Sequence, residues 1–114
     1  MVRVALYRDA AGRACGYSTA GHAGQGPAGE DMVCAAVSAL VQTAALGLER
    51  HLGLAVQVRE GPGHFDCLLP RELGPSLGAR AADVLETMWL GLREIQAAHP
   101  DAVRLCEQAR QPKG

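Results

Sequence analysis

The sequence is as informative for what it omits as for what it carries. Four cysteines, Cys15, Cys34, Cys67 and Cys106, lie far apart, and no Cys-x-x-Cys pair occurs. A dithiol redox centre and a zinc ribbon both need that spacing, so neither is expected. No other pair of ligands falls at metal-binding spacing, and no metal or other cofactor is expected. No Gly-Lys-Ser/Thr follows the glycine-rich stretch, which excludes a P-loop. The eleven basic residues, ten arginines and one lysine, are scattered and the net charge is −1. No direct nucleic-acid contact is expected from that distribution. Arg3 and Arg8 interrupt the first apolar stretch, so no signal peptide is expected. The longest apolar run, Met32 to Val41, is shorter than the roughly 20 residues a bilayer needs. The expectation is a cytoplasmic chain with reduced thiols and no membrane contact. No internal repeat or low-complexity segment stands out.

What is present reads as one domain over 1–114. The chain has 114 residues, 48% hydrophobic and 20% charged, enough for a single core and too apolar for disorder. Val2–Arg8 alternates apolar and mixed positions and reads as a strand, with Ala14–Ala20 as its antiparallel return. Ala23–Glu30 has no periodicity and is expected to be a mobile loop. A helix is predicted from Met32 to Leu48, with Asp31 as its N-cap and Gly53 as its stop. That start makes Cys34 the third helical residue.

Leu54–Glu60 and His64–Leu69 read as a hairpin around Gly61-Pro62-Gly63. Ala81, Leu85, Met88, Leu92 and Ile95 fall at alternating four- and three-residue steps, an amphipathic helix over Leu77–His99 that Pro100 stops. Val103–Glu107 reads as a last strand and 108–114 as a frayed tail. The predicted class is α+β in ββαββαβ order, with two helices on a mostly antiparallel sheet.

The chemistry concentrates between Gly21 and Leu40. Gly24-Gln25-Gly26-Pro27-Ala28-Gly29 matches G-x-G-x-x-G, and Glu49 lies twenty residues beyond Gly29. Dinucleotide binding needs that acid at the end of a second parallel strand, and here it closes the same helix. A cysteine near a helix N-terminus is a different matter. The dipole there contributes roughly 0.3–1 kcal/mol toward a thiolate, too little alone to ionise a thiol at neutral pH. His22, upstream of Cys34, is the candidate base. A free cysteine in an apolar helix is also common core filler, and on spacing alone both readings stand. Cys15, Cys67 and Cys106 each fall in a predicted strand and read as core. His51, His64 and His99 sit at helix ends or in a hairpin and carry no assigned role.

Gly21-His22-Ala23-Gly24, a short loop, then Asp31-Met32-Val33-Cys34-Ala35-Ala36-Val37-Ser38-Ala39-Leu40 resembles the ribosomal-processing cysteine proteases of bacteria, the Prp family. The resemblance is dense over this segment and looser over the rest of the chain. It implies a cysteine endopeptidase with Cys34 as nucleophile and His22 as general base. The implied substrate is the N-terminal extension of a large-subunit ribosomal protein, number twenty-seven, cut during ribosome assembly. It also implies a homodimer, for which Leu85, Met88, Trp89 and Leu92 offer apolar surface.

Gly21, Ala23, Gly24, Gln25 and Gly29 form the expected substrate loop, ordering over the peptide. Many relatives carry an aromatic residue just after Gly24, where this chain has Gln25-Gly26-Pro27; the loop length is kept and its side chains are not. Asp31 can cap the helix or orient His22 as a third member. Ser38, one turn beyond Cys34, can bond the thiolate or a substrate carbonyl, or bond back to its own helix. Main-chain N–H groups at the helix start, including that of Cys34, are candidate oxyanion donors. The alternative reading is a non-catalytic, ribosome-associated module that clamps a peptide on the same fold.

Overall fold

Alternating apolar residues on five short segments build the sheet, and two long apolar stripes build the helices laid over it. The computed structural model describes the backbone of residues 1–21 and 28–112, and the side chains of all of these except 28–31. The strands are β1 (Val2–Arg8), β2 (Ala14–Ala20), β3 (Gln57–Gly61), β4 (His64–Leu68) and β5 (Val103–Ala109). The helices are α1 (Ala28–Leu46), continued by a π-helical turn at Gly47–His51, and α2 (Pro75–Ala98). The order is the ββαββαβ expected from the sequence.

The sheet runs β3-β4-β2-β1-β5. Three of its pairings are antiparallel and one, β1 with β5, is parallel. The register sets Leu6 opposite Tyr17 and Tyr17 opposite Cys67. One row of buried side chains therefore crosses three strands toward the helices, because period-two alternation sends neighbours to opposite faces. The other face carries Arg3, Ser18, Asp66, Arg59 and Arg104. There the Ser18 hydroxyl donates to Asp66 Oδ1 at 2.6 Å.

The stretch Met32–His51 is long and apolar enough to cross a membrane by composition alone, longer than the run read from the sequence. Its stripe Val33, Val37, Val41, Ala44 and Leu48 is buried in the core. The Tyr17 hydroxyl donates to the Val41 carbonyl and ties β2 to the middle of α1. Gly53 turns the chain after the π-turn, and the Leu54 amide donates back to Leu48 at 3.0 Å. That bond takes Leu54 out of the hairpin, so β3 starts at Gln57 rather than at 54.

α2 spreads its apolar side over α1, β2 and β5. Leu85, Met88, Trp89 and Leu92 are consequently buried within the chain, none more than 6% exposed. They are not the spare surface that the sequence suggested for a dimer. α2 begins at Pro75, and β5 runs two residues past the predicted strand end. The Arg110 amide then donates to Arg8 at 2.8 Å, so the tail stays paired there rather than fraying from 108. Cys106 is exposed, contrary to the core position expected. It pairs with Ala5 on the face away from the helices, on an edge strand.

Candidate active site

α1 starts at Ala28, four residues before the predicted start. Glu30 and Asp31 suit a first turn because carboxylates there complement the helix dipole. Three expectations change with this start. Asp31 lies inside the helix rather than capping it, the loop read as 23–30 is shortened to its part before 28, and Cys34 becomes the seventh helical residue. The dipole effect fades within one turn, so it contributes little at Cys34. The Cys34 amide also falls within the i→i−4 ladder, where Glu30 supplies the acceptor, and is not a free oxyanion donor.

Cys34 is half-buried at the wall of a cavity of about 200 Å³. Helical spacing brings Val37, Ser38, Val41 and Gln42 to the same wall, one and two turns on. The predicted neighbourhood of Cys34 and Ser38 is therefore present. Opposite stand Thr19 of β2 and Phe65 of β4, which are register partners. Glu60 and His64 from the β3–β4 hairpin line the mouth.

Thr19 is 9% exposed, and its hydroxyl has no hydrogen-bond partner among the described residues. A buried hydroxyl left so costs about 1–3 kcal/mol, which a bound polar group would relieve. Thr19, Glu60, His64 and Phe65 escaped the sequence reading. Their only local signal is a place on a strand or hairpin, and the sheet register brings them to Cys34.

Gly21 also lines this cavity. Its φ is +93°, and a Cβ there would stand 2.3 Å from the Met1 carbonyl oxygen, so only glycine fits. Gly29 lies in the first turn of α1. His22, Ala23, Gly24 and Gln25, together with the Asp31 side chain, lie outside the described residues.

Two of the other thiols, Cys15 and Cys67, are buried. Burial pushes Cys67 up to about 11, and burial likewise raises Cys15 despite the pull of nearby Arg110. All four cysteines are free. Among the described residues no group of three His, Cys, Asp or Glu is placed to hold a metal.

The sequence model of the cysteine protease Prp family matches residues 1–104. No curated protein sequence matches significantly. Among solved structures, the essential ribosomal processing protease Prp of Staphylococcus aureus, in complex with a substrate peptide, superposes with a TM-score of 0.81 at 22% identity; the match covers 95% of this chain and 100% of that one. The same protease with a covalently linked product peptide gives 0.80 at 23% identity over the same shares. A Streptococcus mutans protein gives 0.78 at 24% identity, covering 96% of each chain. At such identities the likeness is one of fold.

Proposed function

Because the chain belongs to the Prp family of cysteine proteases, we propose that it is an endopeptidase that removes the N-terminal extension of a large-subunit ribosomal protein, number twenty-seven. In this reading His22 takes the proton of the Cys34 thiol, and the thiolate attacks the scissile carbonyl. The carbon–nitrogen bond breaks as His22 returns the proton to the leaving amine. Water, giving its proton to His22, then hydrolyses the thioester and restores the thiol. With Cys34 in the second helical turn, activation rests on the histidine rather than on the dipole. Ser38 donates to the scissile carbonyl from one turn away, and the Thr19 hydroxyl, unpaired among the described residues, meets the peptide inside the cavity.

The observation that carries this reading is the family match over 1–104, which includes the whole segment from His22 to Ser38. The half-buried Cys34 on the wall of a cavity supports it, since a nucleophile has to lie within reach of its substrate. The peptide-bound relative of the same fold supports a peptide as ligand. We place the enzyme in the cytoplasm, where its thiols stay reduced, and read it as a homodimer. Met32 and Leu46 on α1 and Leu90 on α2 are among the exposed apolar residues available for that contact.

The test is mass spectrometry of the extended ribosomal protein's N-terminal peptide after incubation with wild type and with Cys34→Ala. One new cleavage by wild type and none by the variant is expected. Binding without cleavage by either would favour the peptide clamp, and cleavage by both would remove Cys34 as nucleophile. Light scattering at micromolar protein should give the dimer mass.

A further inference from the structure

A larger cavity, of about 350 Å³, shares no lining residue with the one at Cys34. It lies among the β1–β2 turn, the segment after β4, the first turn of α2 and the end of β5. Leu69, Pro70 and Leu73 form its apolar wall, and Arg13, Arg71 and Arg110 its polar one. These three arginines are 13, 71 and 110 in sequence, which is why the basic residues look scattered along the chain.

The three guanidiniums lack carboxylate partners among the described residues. Arg110 Nη1 donates to the Leu69 carbonyl at 2.9 Å, while its Nε–H is buried with no acceptor among the described residues. Arg71 Nη2 donates to the Gln111 carbonyl at 2.7 Å. Arg13 Nη1 sits 2.8 Å from where any residue but glycine would carry a Cβ at position 78, so this cation rests on the start of α2. That end of a helix is itself positive, and the cap residue Gly74 brings no side-chain acceptor to it. Among the described residues Asp9 is the one carboxylate on the lining, and its Oδ1 already accepts the Ala11 and Arg13 amides. Arg8, by contrast, is paired with both Glu86 and Glu107.

Converging cations, a buried donor without an acceptor and a positive helix end all point to an anion. We propose that this cavity binds a small phosphomonoester, the phosphate held by Arg13, Arg71 and Arg110 and the organic part by Leu69, Pro70 and Leu73. Three guanidiniums against one carboxylate leave two positive charges, which a phosphate dianion balances and a single carboxylate does not. The guanidinium fork matches phosphate oxygens in pairs. The volume falls at the lower end of small-ligand pockets, about 300–1,000 Å³, and exceeds what phosphate alone would fill. The proposal is independent of the protease reading, and its test reads binding rather than cleavage.

Isothermal titration and thermal unfolding of the full chain, at constant ionic strength, test it with four probes: a nucleoside monophosphate, its uncharged nucleoside, inorganic phosphate and chloride. The monophosphate should bind at millimolar concentration or below and raise the melting temperature; the nucleoside and chloride should do neither. Arg13→Gln and Arg71→Gln alter exposed side chains and should each weaken binding about tenfold or more, as expected for a charge-assisted bond. Arg110→Gln should weaken it further. Absence of millimolar binding, an equal effect of chloride, or wild-type affinity in both exposed variants would overturn the site. Equal affinity for inorganic phosphate and the monophosphate would overturn the role of the apolar wall.

Discussion

The amide of Gly21 donates to the carbonyl of Gly63 at 2.9 Å, tying the residue before His22 to the turn of the β3–β4 hairpin. Both glycines line the cavity that Cys34 faces. The point where the chain enters the proposed catalytic loop is thus held to the strand pair that carries His64 and Phe65.

Replacing Gly21 tests this anchor. Alanine would have to adopt φ near +93° with its Cβ 2.3 Å from the Met1 carbonyl. Backbone strain of this kind costs about 1–3 kcal/mol, and the steric clash adds to it. Urea denaturation of Gly21→Ala should show a lower midpoint at unchanged slope, together with reduced peptide cleavage. A wild-type midpoint would show that the Met1–Gly21 contact is dispensable.

Thiol counting separates the four cysteines. Cys106 is exposed and Cys34 half-buried, while Cys15 and Cys67 are buried. A disulfide exchange reagent should therefore titrate two thiols in the native protein and the other two only after unfolding. If His22 activates Cys34, that thiol reacts fastest at neutral pH although Cys106 is more open to solvent. His22→Ala should then slow Cys34 alone. Cys106 reacting faster than Cys34 in wild type would count against the base.

Stability should fall in mild alkali. Burial raises the Cys67 thiol from its ordinary range to about 11, so the unfolded chain loses this proton first. Between about pH 9 and 11 the unfolded state binds fewer protons than the native one, and the free energy of unfolding declines as pH rises. The contribution is complete below the unfolded value and lost on approaching the folded one, with a limiting slope of about 1.4 kcal/mol per pH unit per thiol. Cys15 shifts the same way. Denaturation curves of Cys67→Ala across this range should show a shallower slope than wild type.

Arg8 joins α2 to the sheet edge. Its guanidinium reaches Glu86 of α2 at 3.0 Å and Glu107 of β5 at 2.6 Å, with the arginine side chain 28% exposed. Arg8→Met keeps the aliphatic stem and should cost on the order of 1 kcal/mol, the scale of partly exposed ion pairs. A double-mutant cycle with Glu86→Gln should give a coupling of several tenths of a kcal/mol that shrinks in high salt. Zero coupling would mean that the pair contributes only geometry.

Much of the architecture is legible locally, because strand and helix periodicities are properties of short windows. The alternation of Val2, Val4 and Leu6 and the stripe from Ala81 to Ile95 each found their element. The helix start was missed because Gly29 and Pro27 read as loop residues, while Glu30 and Asp31 serve a first turn equally well. Half of the proposed site follows in the same local way: Cys34 and Ser38 share a wall because one helical turn separates them.

The sequence by itself determined the ββαββαβ order, the apolar faces and the spacing of Cys34 and Ser38, since each follows from backbone repeat lengths. Only the tertiary structure decided what lies across from those faces. Sheet register, a long-range choice, put Thr19 and Phe65 on the cavity that Cys34 lines and Cys106 beside Ala5 on the open face, and helix packing put Leu85 and Leu92 in the core. Register also gathered Arg13, Arg71 and Arg110 around one cavity. No local window can show such a cluster, because its members meet only when separate strands pair.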